Sequence, residues 1–172
     1  RTTNETTMPS NKRDNDTADK PRLDKYDRKI LIALQSNAEL SMADLGDQVG
    51  LSHTPCWRRV KRLEEEGYIQ QRVTLLSAEK LNLDVSVHAY VTIKSHDEES
   101  LLAFESAVHA VPEIVECYSI TGDKDYLLRM VVSSVDDYEK LLKKHLVHLP
   151  NVASVNSVFA LKQVKYTTAL PL

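Results

Sequence analysis

The densest reactive chemistry in the sequence is a run of basic side chains within residues 50–67, GLSHTPCWRRVKRLEEEG. Arg58, Arg59, Lys61 and Arg62 lie within five consecutive positions, and three glutamates follow them. Guanidinium groups bind phosphate oxygens and bond bidentately to guanine, so such a cluster suits a nucleic acid. A run of this kind also occurs on solvated helices, where basic side chains pair with glutamates one turn away. The run alone leaves both interpretations open.

On a helix with about 100° per residue, the apolar and basic positions of this run separate. One face carries the apolar side chains: Cys56, Val60 and Leu63. The opposite face carries Thr54, Arg58, Lys61 and Arg62. Arg59 lies at the border between them. The net charge of the chain is −3, but a local patch can bind a polyanion because the Debye length is only about 8–10 Å.

A second candidate site is the turn ITGDKDY at residues 120–126. A free amino acid offers an ammonium and a carboxylate. A glycine turn at Gly122 can present backbone amides to the carboxylate, and Asp123 or Asp125 can accept hydrogen bonds from the ammonium. The same residues are common in ordinary hairpin turns, so an effector site and a plain turn both stay open.

The remaining composition argues against several other kinds of site. The histidines show no metal-ligand spacing with the cysteines, and no phosphate loop or nucleophile elbow is present. We therefore expect no catalytic residue, no metal and no bound cofactor. Cys56 and Cys117 fall on apolar sides of expected elements, which predicts two reduced, buried thiols. No apolar run approaches the ~18 residues of a membrane span and no signal peptide is visible, so we expect a cytoplasmic protein.

Three helices are expected to position the basic run. Three helix-start signals occur: Asp24 with Asp27, Ser41 with Asp44, and Ser52. Gly50 and Gly67 are placed to end the second and third helices. The following segment, YIQQRVTLL, is β-prone and predicts a wing hairpin or single strand that carries Arg72. Residues 22–75 therefore predict a winged helix-turn-helix, and residues 1–21, which lack large apolar side chains, predict a disordered tail.

The second half of the chain has a different pattern after a linker at residues 76–84. VSVHAYVTIKS alternates with period two, which predicts a half-buried strand. The expected elements that follow are a helix at 97–111, strands at 114–121 and 126–134, a second helix, and a last strand at 152–165. The order βαββαβ is that of a ferredoxin-like sandwich, here spanning residues 85–172. The expected fold class is α+β, with an N-terminal winged helix-turn-helix and a C-terminal ferredoxin-like βαββαβ sandwich.

The segment LDKYDRKILIALQSNAELSMADLGDQVGLSHTPCWRRVKRLEEEGYI resembles the DNA-binding domain of the Lrp/AsnC family, the leucine-responsive or feast/famine regulators. The resemblance continues through TGDKDYLL and LPNVASVNSVFALKQVKYTTALPL. It implies a transcriptional regulator of amino-acid metabolism genes. It also implies a second domain that dimerises, often assembles to octamers, and binds small amino-acid effectors between subunits.

Two residues depart from the pattern of the family. His53 stands where proline is frequent, and Trp57 stands where leucine is frequent. We expect His53 to alter base contacts at the helix start. We expect Trp57 to be a packing variant and not a DNA contact, because a large ring on a flank usually buries.

The sequence thus leads to a defined set of expected site residues and partners. The expected DNA-binding residues are Ser52, His53, Thr54, Arg58, Arg59, Lys61, Arg62 and Arg72. The effector-binding residues implied by the resemblance are Gly122, Asp123, Asp125 and Tyr126. The expected partners are double-stranded DNA at a palindromic site, an amino-acid effector, and further copies of the chain as a homodimer or octamer. The alternatives are a winged-helix adaptor that binds a protein, and a small ferredoxin-like enzyme with a helical appendage.

Overall fold

The computed structural model describes residues 23–172, and the disorder predicted for residues 1–21 lies outside that range. The described chain forms two compact units. The first comprises residues 23–73 together with Thr168–Leu172, and the second comprises Thr74–Thr167. The predicted order of three helices followed by βαββαβ is confirmed. None of the helices within residues 23–172 is long and apolar enough to cross a membrane.

The first unit contains three helices: α1 (Lys25–Ser36), α2 (Met42–Val49) and α3 (His53–Glu65). All three begin at their predicted start signals. The Asp24 carboxylate accepts from the Asp27 amide, while the Asp27 carboxylate accepts from the Asp24 amide, which forms a capping box. The Ser41 hydroxyl accepts from the Asp44 amide in the same way at α2. These local bonds fix where α1 and α2 start.

The turn between α2 and α3 is tight. Gly50 ends α2 with a left-handed backbone (φ 77°), a conformation that costs other residues energy. The Leu51 amide donates to the Gly46 carbonyl at 2.8 Å, and a β carbon on Gly46 would lie only 2.6 Å from the Leu51 carbonyl oxygen. The close approach of the turn backbone at Leu51 therefore requires glycine at position 46. The core beneath the turn is apolar: Ile30, Leu34, Leu45, Val49, Cys56, Val60 and Leu63.

Residues 68–76, predicted as a wing hairpin or strand, contain no strand in the described structure. The backbone leaves α3 through Gly67, and the Ile69 amide donates to the Leu63 carbonyl at 3.1 Å. The β-prone side chains Val73 and Leu75 are exposed. β propensity depends on a partner strand, and the described part of the first unit offers none. The prediction of a strand at this position is therefore wrong, and the segment is an extended connection.

The second unit is a four-stranded antiparallel sheet with two α-helices and two short 3₁₀ helices, Glu79–Leu81 and Leu146–His148. The strands are β1 (Val85–Ile93), β2 (Ile114–Ser119), β3 (Tyr126–Val132) and β4 (Val152–Phe159), in the order β2-β3-β1-β4. The α-helices are α4 (Glu98–His109) and α5 (Val135–Lys144). This is the predicted ferredoxin-like arrangement. The last strand ends at Phe159, earlier than the predicted residue 165.

Alternation along the strands separates a buried face from an accessible one. The buried face packs against α4 and α5 and includes Val87, Ala89, Val91, Leu128 and Met130. The register places Tyr118, Leu127, Tyr90 and Asn156 side by side across the other face. We call this row, with Val158, the open sheet face. Tyr90, Tyr118 and Val158 are all exposed.

The two cysteines lie in different environments. Cys56 is fully buried in the first unit, which confirms its prediction. Cys117 is exposed, so the prediction that it is buried is wrong. It lies on β2, an edge strand of the sheet, where only one side of the strand has a neighbour.

Candidate functional site

The amino-terminal turn of α3 differs from that of the other described α-helices. Ser52 has the backbone of a cap residue (φ −70°, ψ 162°), yet its side chain makes no capping bond. The cap residues of α1, α2, α4 and α5 all accept from a first-turn amide. Ser52, His53 and Thr54 are exposed. The start of α3 therefore offers amide and hydroxyl donors to an anion.

Arg58 and Lys61 are exposed on α3. Within residues 23–172, neither forms an ion pair. Lys61 instead lies over an aromatic ring, with its Nζ 5.3 Å from the centroid of Trp57. These two cations are available to an external polyanion.

Arg59 and Arg62 are bound to carboxylates of α1. Asp27 is 1% exposed, and its oxygens lie 2.7 Å from Arg59 Nη1 and 2.7 Å from Arg62 Nη2. Arg59 Nη1 also lies 2.7 Å from Asp24 Oδ2. Burial alone would raise the pKa of Asp27, but the hydrogen bonds from Arg62, the Asp24 amide and Arg59 hold it below its ordinary value. The cluster ties α3 to α1.

The prediction that Arg62 projects outward beside Arg58 and Lys61 is therefore wrong. A helical wheel of α3 contains no information about Asp27, which lies on another helix and attracts the long side chain. The border position predicted for Arg59 is confirmed, since its side chain is 29% exposed. Both guanidinium groups are occupied by protein carboxylates in this structure.

Two more predicted residues lie beside the exposed cations. Trp57 is 46% exposed, so the expectation that its ring is buried is wrong. The apolar face of α3 fills the core without it. Arg72 lies on the extended connection and pairs with Glu64 at 2.8 Å. Both partners are exposed, so this pair contributes little to stability.

In the turn between β2 and β3, two of the four predicted effector residues are accessible from outside the fold. Gly122 has φ 120°, a conformation that favours glycine, and it is exposed. The side chain of Asp123 is 92% exposed and its nearest cation is Lys124, 3.5 Å away. This backbone and this carboxylate are accessible to a small molecule.

Asp125 and Tyr126, the other two predicted effector residues, are engaged by the fold. The Asp125 carboxylate accepts from the Ile93 amide at 2.7 Å and lies 2.7 Å from His96 Nε2. The hydrogen bond with His96 lowers its pKa. Its backbone is also bonded, to Val91 and Ile120. Asp125 therefore fastens the turn to β1, a role that the sequence interpretation did not assign to it.

Tyr126 is 4% exposed, and its hydroxyl donates to Glu105 at 2.7 Å. Its ring lies 4.6 Å from the ring of Phe104, centroid to centroid. Burial and the bond with Glu105 raise its pKa to about 12. Tyr126 thus joins β3 to α4, and its ring is part of the hydrophobic core of the second unit.

Sequence reasoning missed a cleft between α4 and β2. The cleft has a volume of about 350 Å³ and is bordered by polar and apolar side chains, among them Glu105, His109, Cys117, Ser119 and Tyr126. These residues come from separate segments, and no spacing in the sequence links them. His96, the partner of Asp125, lies in a loop, and no local sequence pattern predicted its contact with Asp125.

Comparison with known proteins finds a separate family match in each half of the chain. Residues 23–70 match the family model of a winged helix-turn-helix DNA-binding domain, and residues 86–170 match the Lrp/AsnC ligand binding domain. The Bkd operon transcriptional regulator of Pseudomonas aeruginosa is 43% identical over 150 residues, covering 87% of this chain and 98% of that protein.

Solved structures give the same result. An AsnC family transcriptional regulator from Agrobacterium tumefaciens is 45% identical with a TM-score of 0.83, covering 87% of this chain and 97% of that one. A transcriptional regulator from Neisseria meningitidis, solved as an L-Met complex, is 36% identical with a TM-score of 0.83 and the same coverage. These relatives are regulators of transcription and not enzymes, which removes the alternative of a ferredoxin-like enzyme. From its two matched domains and its relatives of nearly full length, the chain belongs to the Lrp/AsnC family of transcriptional regulators.

Proposed function

We propose that α3 recognises duplex DNA in a sequence-specific manner through Arg58 and Lys61. The observation that carries this proposal is that the four basic residues of α3 fall into two pairs, one bound to carboxylates and one without them. Arg59 and Arg62 are bound to Asp27, whereas Arg58 and Lys61 have no acidic partner among residues 23–172. An exposed arginine on a recognition helix can bond bidentately to guanine, and an exposed lysine can bind phosphate.

The open start of α3 supplies the remaining contacts in this proposal. Ser52 and Thr54, with the first amides of the helix, contact a phosphate, and His53 lies beside the first base. Arg72 reaches the backbone only if it leaves Glu64, which an exposed pair does at little cost. Arg59 and Arg62 act mainly by holding α3 in place.

A salt titration tests the DNA-binding residues. A duplex is first selected from a random pool with the full chain, and its affinity is then measured by fluorescence anisotropy at several salt concentrations. Lys61→Ala should weaken binding and reduce the salt slope by roughly one, the signature of a lost phosphate contact. Arg58→Ala should weaken binding by about 1–3 kcal/mol and relax specificity at one base pair, the signature of a lost guanine contact. The matched control is Lys143→Ala, an exposed lysine of α5. Unchanged affinity of both α3 variants would contradict the proposal, and failure of the full chain to select any duplex would favour an adaptor that binds a protein.

For the second domain we propose a free amino acid as effector, bound at the turn of Gly122 and Asp123. The left-handed glycine exposes backbone amides that suit a carboxylate, and the exposed Asp123 suits an ammonium. The L-Met complex of the Neisseria meningitidis relative supports an amino acid and makes methionine a first candidate. Control of amino-acid metabolism genes and a cytoplasmic location belong to the same proposal.

Thermal unfolding in the presence of each standard amino acid tests the effector. A ligand at a hundred times its dissociation constant stabilises the folded state by about 2.7 kcal/mol. Asp123→Asn should remove this stabilisation and leave the affinity for DNA intact. Asp84→Asn is the control, since it is the same substitution at an exposed position of the same unit. An equal response of both variants would place the effector elsewhere.

We also propose that two copies associate through the open sheet face, and that dimers assemble further toward an octamer. Tyr90, Tyr118 and Val158 form exposed apolar surface on this face, which a second identical face can cover symmetrically. A symmetric dimer presents two α3 helices to a palindromic site with half-sites one helical turn, or a multiple, apart. Light scattering of Tyr90→Arg should show a smaller assembly, and an unchanged assembly would exclude this face.

A further inference from the structure

Trp57 is an exposed aromatic residue on the DNA-facing helix. Its side chain is 46% exposed and lies on the flank that Lys61 and Glu64 occupy further along α3. Lys61 Nζ is 5.3 Å from the ring centroid, within the range of a cation–π contact. With Met42 and Arg72, these side chains border an open notch of about 380 Å³.

Packing inside the first unit does not account for this ring. Cys56, Val60 and Leu63 form the core face of α3 and are each at most 4% exposed. Trp57 is not part of that core. Large aromatic rings dominate both cores and interfaces, and an exposed ring beside free cations is therefore a candidate interface residue.

The charge of the flank indicates the kind of partner. Arg58 and Lys61 are positive and lack acidic partners within the described residues. Glu64, the acid of the notch, lies 2.8 Å from Arg72. The flank thus offers an apolar ring in contact with the Lys61 cation and adjacent in sequence to Arg58. A major groove offers the complement, because thymine methyl groups lie there between the phosphates of the two strands.

We propose that Trp57 is a specificity residue for DNA, whose ring contacts a thymine methyl group while it holds the Lys61 ammonium toward a phosphate. The inference rests on the proposed function of α3. It adds a requirement for thymine next to the base that Arg58 contacts.

The first test uses the intrinsic fluorescence of the full chain, which contains one tryptophan. Binding of the selected duplex is followed by anisotropy of a labelled strand, and Trp57 emission is recorded in the same samples. Burial against DNA should shift the emission and reduce quenching by acrylamide. Duplex binding with unchanged emission and quenching would overturn the role of Trp57 and leave the role of α3 intact. Absence of duplex binding would overturn the proposed function itself.

The second test removes single methyl groups from the DNA. Each thymine of the selected duplex is replaced in turn by uracil. For the wild-type chain, one replacement per half-site should weaken binding about fourfold, the effect expected for one methyl group that returns to water. The same replacement should have no effect on Trp57→Leu, which keeps an apolar side chain and whose folding is checked by thermal unfolding. If the methyl effects of wild type and Trp57→Leu coincide at every thymine, the proposal is wrong.

Discussion

Replacement of Asp27 by asparagine should destabilise the helix-turn-helix unit strongly. The substitution preserves the shape of the side chain and an oxygen that can accept from the Asp24 amide, but it removes the charge between Arg59 and Arg62. Loss of one partner from a buried ion pair costs about 3–5 kcal/mol. The two arginines are 29% and 38% exposed, so water compensates part of this loss. We therefore expect a destabilisation of about 2–3 kcal/mol.

The assay is thermal and urea unfolding of the full chain at several pH values. For a unit of this size the loss corresponds to roughly 10–20 °C in its melting temperature. The pKa of Asp27 is lowered in the folded state, so its contribution is fully present above the unfolded carboxyl value of 3.8 and is lost as the pH falls through the lower folded value. The difference between wild type and Asp27→Asn should accordingly be constant near neutrality and shrink in acid.

The matched control is Glu64→Gln, which breaks the exposed pair with Arg72 in the same unit. That change should cost about 1 kcal/mol or less. Equal stability of Asp27→Asn and wild type at neutral pH would refute the assignment of Asp27 as the anchor of α3. A difference that persists unchanged in acid would show that its charge is not the cause.

Further substitutions probe other parts of the fold. Gly46→Ala should cost about 1–3 kcal/mol in urea unfolding, because its β carbon would meet the Leu51 carbonyl at 2.6 Å; a neutral effect would show that the turn can widen. Asp125→Ala should destabilise the second unit by about 1–3 kcal/mol, since it leaves a backbone amide at the buried end of β1 without its hydrogen-bond acceptor. Asp123→Ala should change the stability of that unit by no more than about 0.5 kcal/mol. Equal melting temperatures for these two variants would contradict the conclusion that Asp125 holds the turn in place while Asp123 is free of the fold. Gln35→Ala should accelerate amide hydrogen exchange at position 170, whose backbone amide and carbonyl both bond to the Gln35 side chain; unchanged exchange would show that these bonds are not formed in solution.

Elements with local signals could be predicted from the sequence. Asp24 with Asp27, and Ser41 with Asp44, started helices as expected because a cap bonds to an amide only a few residues away. The alternation in β1 identified its buried face because side chains of a strand point to opposite sides. The βαββαβ order then limited the fold to few topologies.

Features that depend on distant partners could not be predicted. Arg62 turns toward Asp27, which is 35 positions earlier in the chain and on another helix. The segment after Gly67 has strand propensity but no neighbouring strand to pair with. Asp125 looked like a free carboxylate in the turn motif, and only the approach of Ile93 and His96 shows that it is engaged. In each case the residue types were read correctly, but the sequence did not show which distant residue, if any, would interact with them.

The association of Thr168–Leu172 with the first unit makes that unit discontinuous along the chain. The second unit is topologically an insertion, since the chain leaves the first unit after Val73 and returns to it at Thr168. A fragment that ends at residue 73 would thus lack the segment that bonds to Gln35. A tag fused after Leu172 would likewise be joined to the DNA-binding unit and not to the sandwich. Reporters attached near Leu23 and near Leu172 would therefore label the same unit.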